Sequence, residues 1–125
     1  MLNKLILLSI AGMAGTLARY WVSGISHRVL GAGFAYGTLA VNIIGSLLFG
    51  LVWVLSEERM AITAITRTTI LVGFMGAFTT FSTFAFETVN YLRDSQYGLA
   101  FLNISSNCLL GFGAIIIGMW IGRAI

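Results

Sequence analysis

Apolar residues along this chain gather into four long blocks separated by short polar stretches. The blocks cover about residues 4–25, 34–55, 69–91 and 99–121. At about 1.5 Å of rise per residue, each can cross the roughly 30 Å of bilayer hydrocarbon as a helix. The connections SHRVLGAG, SEERMAITAITR and RDSQYG are too short for a soluble domain, and TAITR reads as an interfacial turn or two leading into the third helix. The expectation is an all-α integral membrane protein of four transmembrane helices, a single domain over residues 1–125. The first block carries Arg19 and lacks a small-residue cleavage site followed by soluble sequence, so it reads as a span and not as a cleaved signal.

Polar groups inside the blocks are the informative positions, because hydrocarbon offers them no partners. In the second block Thr38, Asn42, Gly45 or Ser46, and Phe49 share one helical face. Asn42 brings two amide hydrogens and a carbonyl to mid-span. It reads either as a helix-to-helix hydrogen bond or as a donor lining an anion or water path. The third block, GFMGAFTTFSTFAFETVNY, carries a polar stripe of Thr80, Thr83, Glu87 and Asn90 beside an aromatic stripe of Phe78, Phe81 and Phe84. Gly73, Gly76, Thr79 and Thr80 weaken helix propensity there. The sequence thus predicts a third helix broken mid-membrane, non-helical from Gly76 to Thr80, with freed carbonyls able to face a cation. The fourth block presents Asn103, Ser106 and Asn107 on one face with Ser105 adjacent, either backing the third helix or lining a path. Arg19 lies roughly 21 Å along the first helix. It either reaches the far interface or lends positive potential to a vestibule. Glu87 accepts hydrogen bonds at an interface or pairs with a cation.

Composition sharpens this picture. Hydrophobic residues make up 58% of the chain and charged residues 9%, too few charges to cover a soluble domain of this size. Proline is absent, so no helix is kinked by it, and the 15 glycines suit close helix packing. Small-residue pairs occur at Ala11 and Gly15, Gly73 and Ala77, and Gly118 and Gly122. Four spans place both termini on one side, with Lys4, Arg59, Arg67 and Arg123, against Arg28 and Arg93 opposite. This weak bias fits cytoplasmic termini, and it fits equally a chain that inserts both ways and pairs antiparallel. Four helices enclose little by themselves, so a solute path calls for a second copy.

Catalytic chemistry has no foothold, and an enzyme is not expected. His27 has no nucleophile or second histidine arranged around it, and no phosphate loop or zinc spacing occurs. The single Cys108 gives neither a disulfide framework nor a metal pair and reads as a small buried apolar residue. The net charge of +3 is what juxtamembrane Arg and Lys give, and nothing suggests nucleic acid.

The runs GFMGAFTTFSTFAFE (73–87), VNIIGSLLFG (41–50) and GMAGTLARY (12–20) resemble the signatures of the fluoride-specific ion channel family, called Fluc or CrcB. The length and four-span layout agree over essentially the whole chain. The fourth helix is the least telling, since some relatives have hydroxyl or tyrosine residues in place of Asn103 and Asn107. The resemblance implies an antiparallel, dual-topology homodimer in the bacterial inner (plasma) membrane, with two pores that release fluoride passively from the cytoplasm and so lower its toxicity. It implies that Phe81 and Phe84 face the pore and that Asn42 stands beside it. Ser82 and Thr83 take the motif's hydroxyl positions, and Glu87 matches its glutamate. It further implies that backbone carbonyls of Gly76 and Thr79 hold a structural sodium ion between the two copies, with no other protein partner.

Two other functions compete. A small multidrug exporter needs an embedded carboxylate early in the first helix, and that helix has no acid. A purely structural subunit would carry no path of its own.

Overall fold

The computed structural model describes residues 2–125, and every element within them is helical. These elements are α1 (Leu2–Leu30), α2 (Tyr36–Glu57), α3 (residues 64–78), α4 (Phe81–Arg93) and α5 (Tyr97–Ala124). Helices α3 and α4 together form one span, Ala64–Arg93, so four spans are long and apolar enough to cross a membrane. The chain is a multi-pass membrane protein. Three of the spans exceed the lengths read from the apolar blocks, while α2 keeps the same length and starts two residues later. Helix α1 is 29 residues long, about 43 Å, so it tilts or continues into the headgroup region.

Helix α3 begins five residues before the expected start because Thr63 caps it, its side chain accepting the Thr66 N–H at 3.2 Å. The TAITR segment is thereby mostly helical. From Thr69 to Met75 the helix widens to π geometry. The hydroxyls of Thr68 and Thr69 donate back to the Ala64 and Ile65 carbonyls at 2.9 Å each, a bonding habit that bends helices. The next residues, Gly76–Phe78, return to α geometry. Gly76 itself has φ −59° and ψ −33°, so it is helical where the sequence predicted otherwise. Only Thr79 (φ −83°, ψ 160°) and Thr80 (φ −149°, ψ 113°) are extended.

The small residues draw the helices together within the one chain. Helix α2 packs mainly on α5, and α1 mainly on α3. A Cβ on Gly118 would strike the Leu47 carbonyl, and one on Gly50 would strike the Ile115 carbonyl. A Cβ on Gly122 would lie 2.9 Å from that of Val54. Ala11 and Gly15 meet Gly73 and Ala77, with 2.8 Å between the Ala11 Cβ and a Cβ placed on Gly73. A core of Val41, Leu71, Met75 and Phe78 fills the space between α2 and α3. Phe78 stacks on Phe74 with ring centroids 5.7 Å apart, so it belongs to this core. The extended pair that follows turns Phe81 and Phe84 to a different side, which ends the three-phenylalanine stripe expected from periodicity.

The face left over is apolar. Helix α1 buries only Gly15 among its residues, which suits a surface against lipid tails. Ion pairs close one end of the bundle, Arg123 gripping Glu58 through two bonds of 2.7 and 2.8 Å and Arg67 pairing with Glu57. The Arg123 hydrogen bonds hold the Glu58 carboxyl below its ordinary range.

Candidate functional site

Asn42 in the middle of α2 organises the interruption between α3 and α4. Its Oδ1 accepts the Thr80 N–H at 2.9 Å, and its Nδ2 donates to the Thr80 carbonyl at 3.2 Å. One side chain thus satisfies both backbone groups of an extended residue within the third span, the way a neighbouring strand would. The second Asn42 hydrogen goes to Asn107 Oδ1 on α5 at 2.9 Å. The helix-to-helix bond, one of its two sequence-based readings, is thereby present, and Asn42 also lines the groove beside the extended pair.

Thr80 then caps α4. Its Oγ1 accepts the Thr83 N–H at 3.2 Å and donates to Thr83 Oγ1 at 2.9 Å. These caps have a consequence for two carbonyls. In an unbroken helix the Gly76 carbonyl would receive the Thr80 N–H, and the Thr79 carbonyl the Thr83 N–H. Both donors are diverted to side chains. Arg19 Nη1 approaches the Thr79 carbonyl at 3.5 Å, which brings its guanidinium to the interruption.

Beside the extended pair opens a groove of about 500 Å³ between α2, α3, α4 and α5. Asn42, Gly76, Thr79, Phe81 and Phe84 line it, joined by Thr80. The rings of Phe81 and Phe84 are tilted at 58° with centroids 5.6 Å apart. Phe81 is 78% exposed and projects outward, whereas Phe84 is half-buried. The far wall comes from α5: Asn107, Cys108, Gly111, Phe112 and Ile115. Cys108 is exposed along this wall, contrary to the buried apolar role read from its surroundings in the sequence. The apolar context was lipid-like or groove-like surface, which periodicity alone does not separate from core.

The remaining expected residues stand outside the groove. Ser82 and Thr83 are exposed on the first turn of α4, with Ser82 Oγ 3.4 Å from Thr80 Oγ1. Glu87 lies one to two turns further on. Its Oε1 accepts the Thr38 hydroxyl at 2.8 Å, while Oε2 is buried without a hydrogen-bond partner among the described residues. Thr80, placed by the sequence in the polar stripe and the weakened segment but not as a cap, and Thr88, which it did not single out, prove central to the hydrogen bonding. A β-branched hydroxyl next to a predicted break was the available signal for Thr80 as a cap.

A membrane bundle whose third span is interrupted by an extended pair, with a polar clamp on one side and paired phenyl rings on the other, has the build of a channel or carrier for a small solute. The chain belongs to the CrcB family: residues 6–119 match the family described as CrcB-like protein, Camphor Resistance (CrcB). It is 50% identical over 125 residues, the full length of both chains, to a protein of Solidesulfovibrio magneticus named fluoride-specific ion channel FluC. A protein of the same name from Nitrosococcus oceani is 46% identical, again over both full lengths. Another from Maridesulfovibrio salexigens is 45% identical over 124 residues, 99% of this chain and 98% of the relative.

Proposed function

We propose that this chain is a fluoride-specific ion channel. It works in the bacterial inner membrane as an antiparallel, dual-topology homodimer with two pores, and it releases fluoride passively from the cytoplasm. The observation that carries the reading is the clamped Thr79–Thr80 interruption opening onto the Phe81 and Phe84 groove, in a chain alike over its full length to proteins bearing that name.

Fluoride is small and strongly hydrated, so a pore must replace its water with hydrogen-bond donors and positive dipole edges. Just outside the groove, on the exposed first turn of α4, the Thr83 hydroxyl accepts from Thr80 and keeps its own hydrogen to offer to an ion, with the Ser82 hydroxyl next to it. Phenyl edges carry partial positive charge and can face an anion. Asn42 serves the path by fixing its wall, because both of its amide hydrogens are held by Thr80 and Asn107. Glu87 stands further along, held by Thr38, and Arg19 contributes positive potential near the interruption.

A structural sodium ion fits the donor set. Among the described residues no cluster of acidic, histidine or cysteine side chains could hold a metal, but the Gly76 and Thr79 carbonyls have lost their helical donors, and the Thr79 carbonyl keeps only the long Arg19 contact at 3.5 Å. Hard carbonyl oxygens suit sodium, and Gly76 is exposed, open to a second copy. With two carbonyls from each copy, the ion would offset their converging negative dipoles.

The deciding measurement is anion efflux from liposomes holding the purified chain, fluoride compared with chloride, without a pH gradient. Rapid fluoride efflux with chloride retained is expected. Absence of fluoride efflux, or equal chloride efflux, overturns the reading. Efflux that requires a proton gradient would favour an exporter instead.

A further inference from the structure

Asn103 is 0% exposed, a costly place for an amide unless every bond is made. The bonds around it form a chain. Asn42 Nδ2 donates to Asn107 Oδ1 at 2.9 Å. Asn107 Nδ2 donates to Asn103 Oδ1 and to the Asn103 carbonyl, each at 3.0 Å. Asn103 Nδ2 donates to Thr88 Oγ1 at 2.9 Å and leans on the Phe84 carbonyl at 3.5 Å. Thr88 Oγ1 finally donates to the Phe84 carbonyl at 2.8 Å.

The two ends of this chain fix its direction. Asn42 Oδ1 meets the Thr80 N–H, which can only donate, and the far end meets the Phe84 carbonyl, which can only accept. Turning any one amide over would set donor against donor or acceptor against acceptor. Every amide hydrogen of the three asparagines therefore points at a protein acceptor. The chain leaves α4 at Thr80, its cap, crosses α2 and α5, and returns to α4 at Phe84.

We infer that Asn107, Asn103 and Thr88 are positioning residues for the fluoride path, a one-way hydrogen-bond chain that ties the Thr80 cap to the Phe84 turn. Neither Asn103 nor Asn107 lends its amide to the ion. The inference rests on the channel reading for its effect on flux, but the tie itself is a property of the fold. A chain of polarised bonds in a low-dielectric setting stiffens as a unit, so loosening either end should be felt at the other.

Thr88→Val is the decisive variant. Thr88 is buried and does not line the groove, and valine keeps its shape while removing the hydroxyl. Two quantities are read in the same reconstituted protein: hydrogen–deuterium exchange at the Thr80 amide and initial fluoride efflux. In Thr88→Val we expect exchange at Thr80 to rise severalfold and efflux to fall about threefold or more, with α1 amides unchanged. Asn107→Leu should do both more strongly, by about tenfold. Asn107→Ser, which can still accept from Asn42 and donate to the Asn103 carbonyl, should recover part of each. Ser26→Ala, whose hydroxyl bonds only within its own turn of α1, should change neither. Wild-type exchange and efflux in Thr88→Val overturn the inference. So does a fall in Asn107→Leu efflux with no change at Thr80, which would make Asn107 a direct contact of the ion. If the wild-type chain passes no fluoride, the channel reading fails while the exchange measurement still decides the tie.

Discussion

Phe81 and Phe84 differ in surroundings although three residues apart, and that difference sets the expectation for each. Phe81 is 78% exposed in the single chain, so Phe81→Ile should leave folding intact. Phe84 is half-buried, and its backbone carbonyl ends the hydrogen-bond chain, so Phe84→Ile should cost some packing as well. Isoleucine keeps apolar bulk and loses the polarised ring edge. Initial fluoride efflux per folded protein should therefore fall at least about tenfold in both, a rise of ~1.4 kcal/mol in the barrier. Wild-type rates in both variants would return the rings to packing. Asn42→Asp should suppress efflux more severely. It replaces two donated bonds with a carboxylate facing the Thr80 carbonyl and Asn107 Oδ1, a repulsion strengthened by the low dielectric. Thr83→Val should lower the rate while leaving the Thr83 N–H bond to Thr80 in place. Glu87→Gln separates charge from hydrogen bonding, since glutamine can still accept from Thr38.

Helices were legible in the sequence to the extent that bilayer thickness dictates them. Four apolar blocks of sufficient length leave few other arrangements. Their ends were not legible, because Thr63 capping and polar end turns extend helices past the apolar run. Local propensity marked 76–80 as weak, yet Gly76 is helical and only Thr79 and Thr80 are extended. What selects that pair is Asn42, distant in sequence, together with the Thr80 cap, and no local pattern contains such a partner. The candidate site was partly legible for the same reason. Asn42, Phe81, Phe84, Gly76 and Thr79 converge on one groove, while the α5 wall and the role of Thr88 required the fold. Glycine positions test this level directly. Gly118→Val would drive a side chain into the Leu47 backbone, so it should lower the thermal stability of the chain itself, by about 1–3 kcal/mol. Beyond its own helical turn, a Cβ on Gly76 would meet nothing nearer than the Leu71 carbonyl at 4.0 Å. Gly76→Val should then leave each chain folded and instead weaken pairing, measured as monomer released in detergent or lipid dilution. Equal loss of folding in the two variants would remove the case for Gly76 at a contact between copies.

At the scale of the whole molecule the open question is orientation, and the charges make it testable. Lys4, Arg59, Arg67 and Arg123 gather at the end with the termini, against Arg28 and Arg93 at the other. Two of the four terminal-side cations are engaged by acids, Arg67 by Glu57 and Arg123 by Glu58. Orientation depends chiefly on the positive residues themselves, so the bias is small but adjustable. In one chain the groove is open to the outside, Phe81 is 78% exposed and Gly76 is exposed. An antiparallel partner would complete the path, and such a partner requires insertion both ways. Reporters active on only one side of the membrane, fused after Ile125, should each give signal in separate cultures. Adding two or three arginines to the SHRVLGAG loop should shift insertion toward the orientation that keeps that loop cytoplasmic. Fluoride efflux should fall in that variant and return when a second, oppositely biased copy is expressed with it. Signal from one reporter alone, with full efflux retained, would rule out dual topology and leave a parallel assembly as the only way to build the path from two copies.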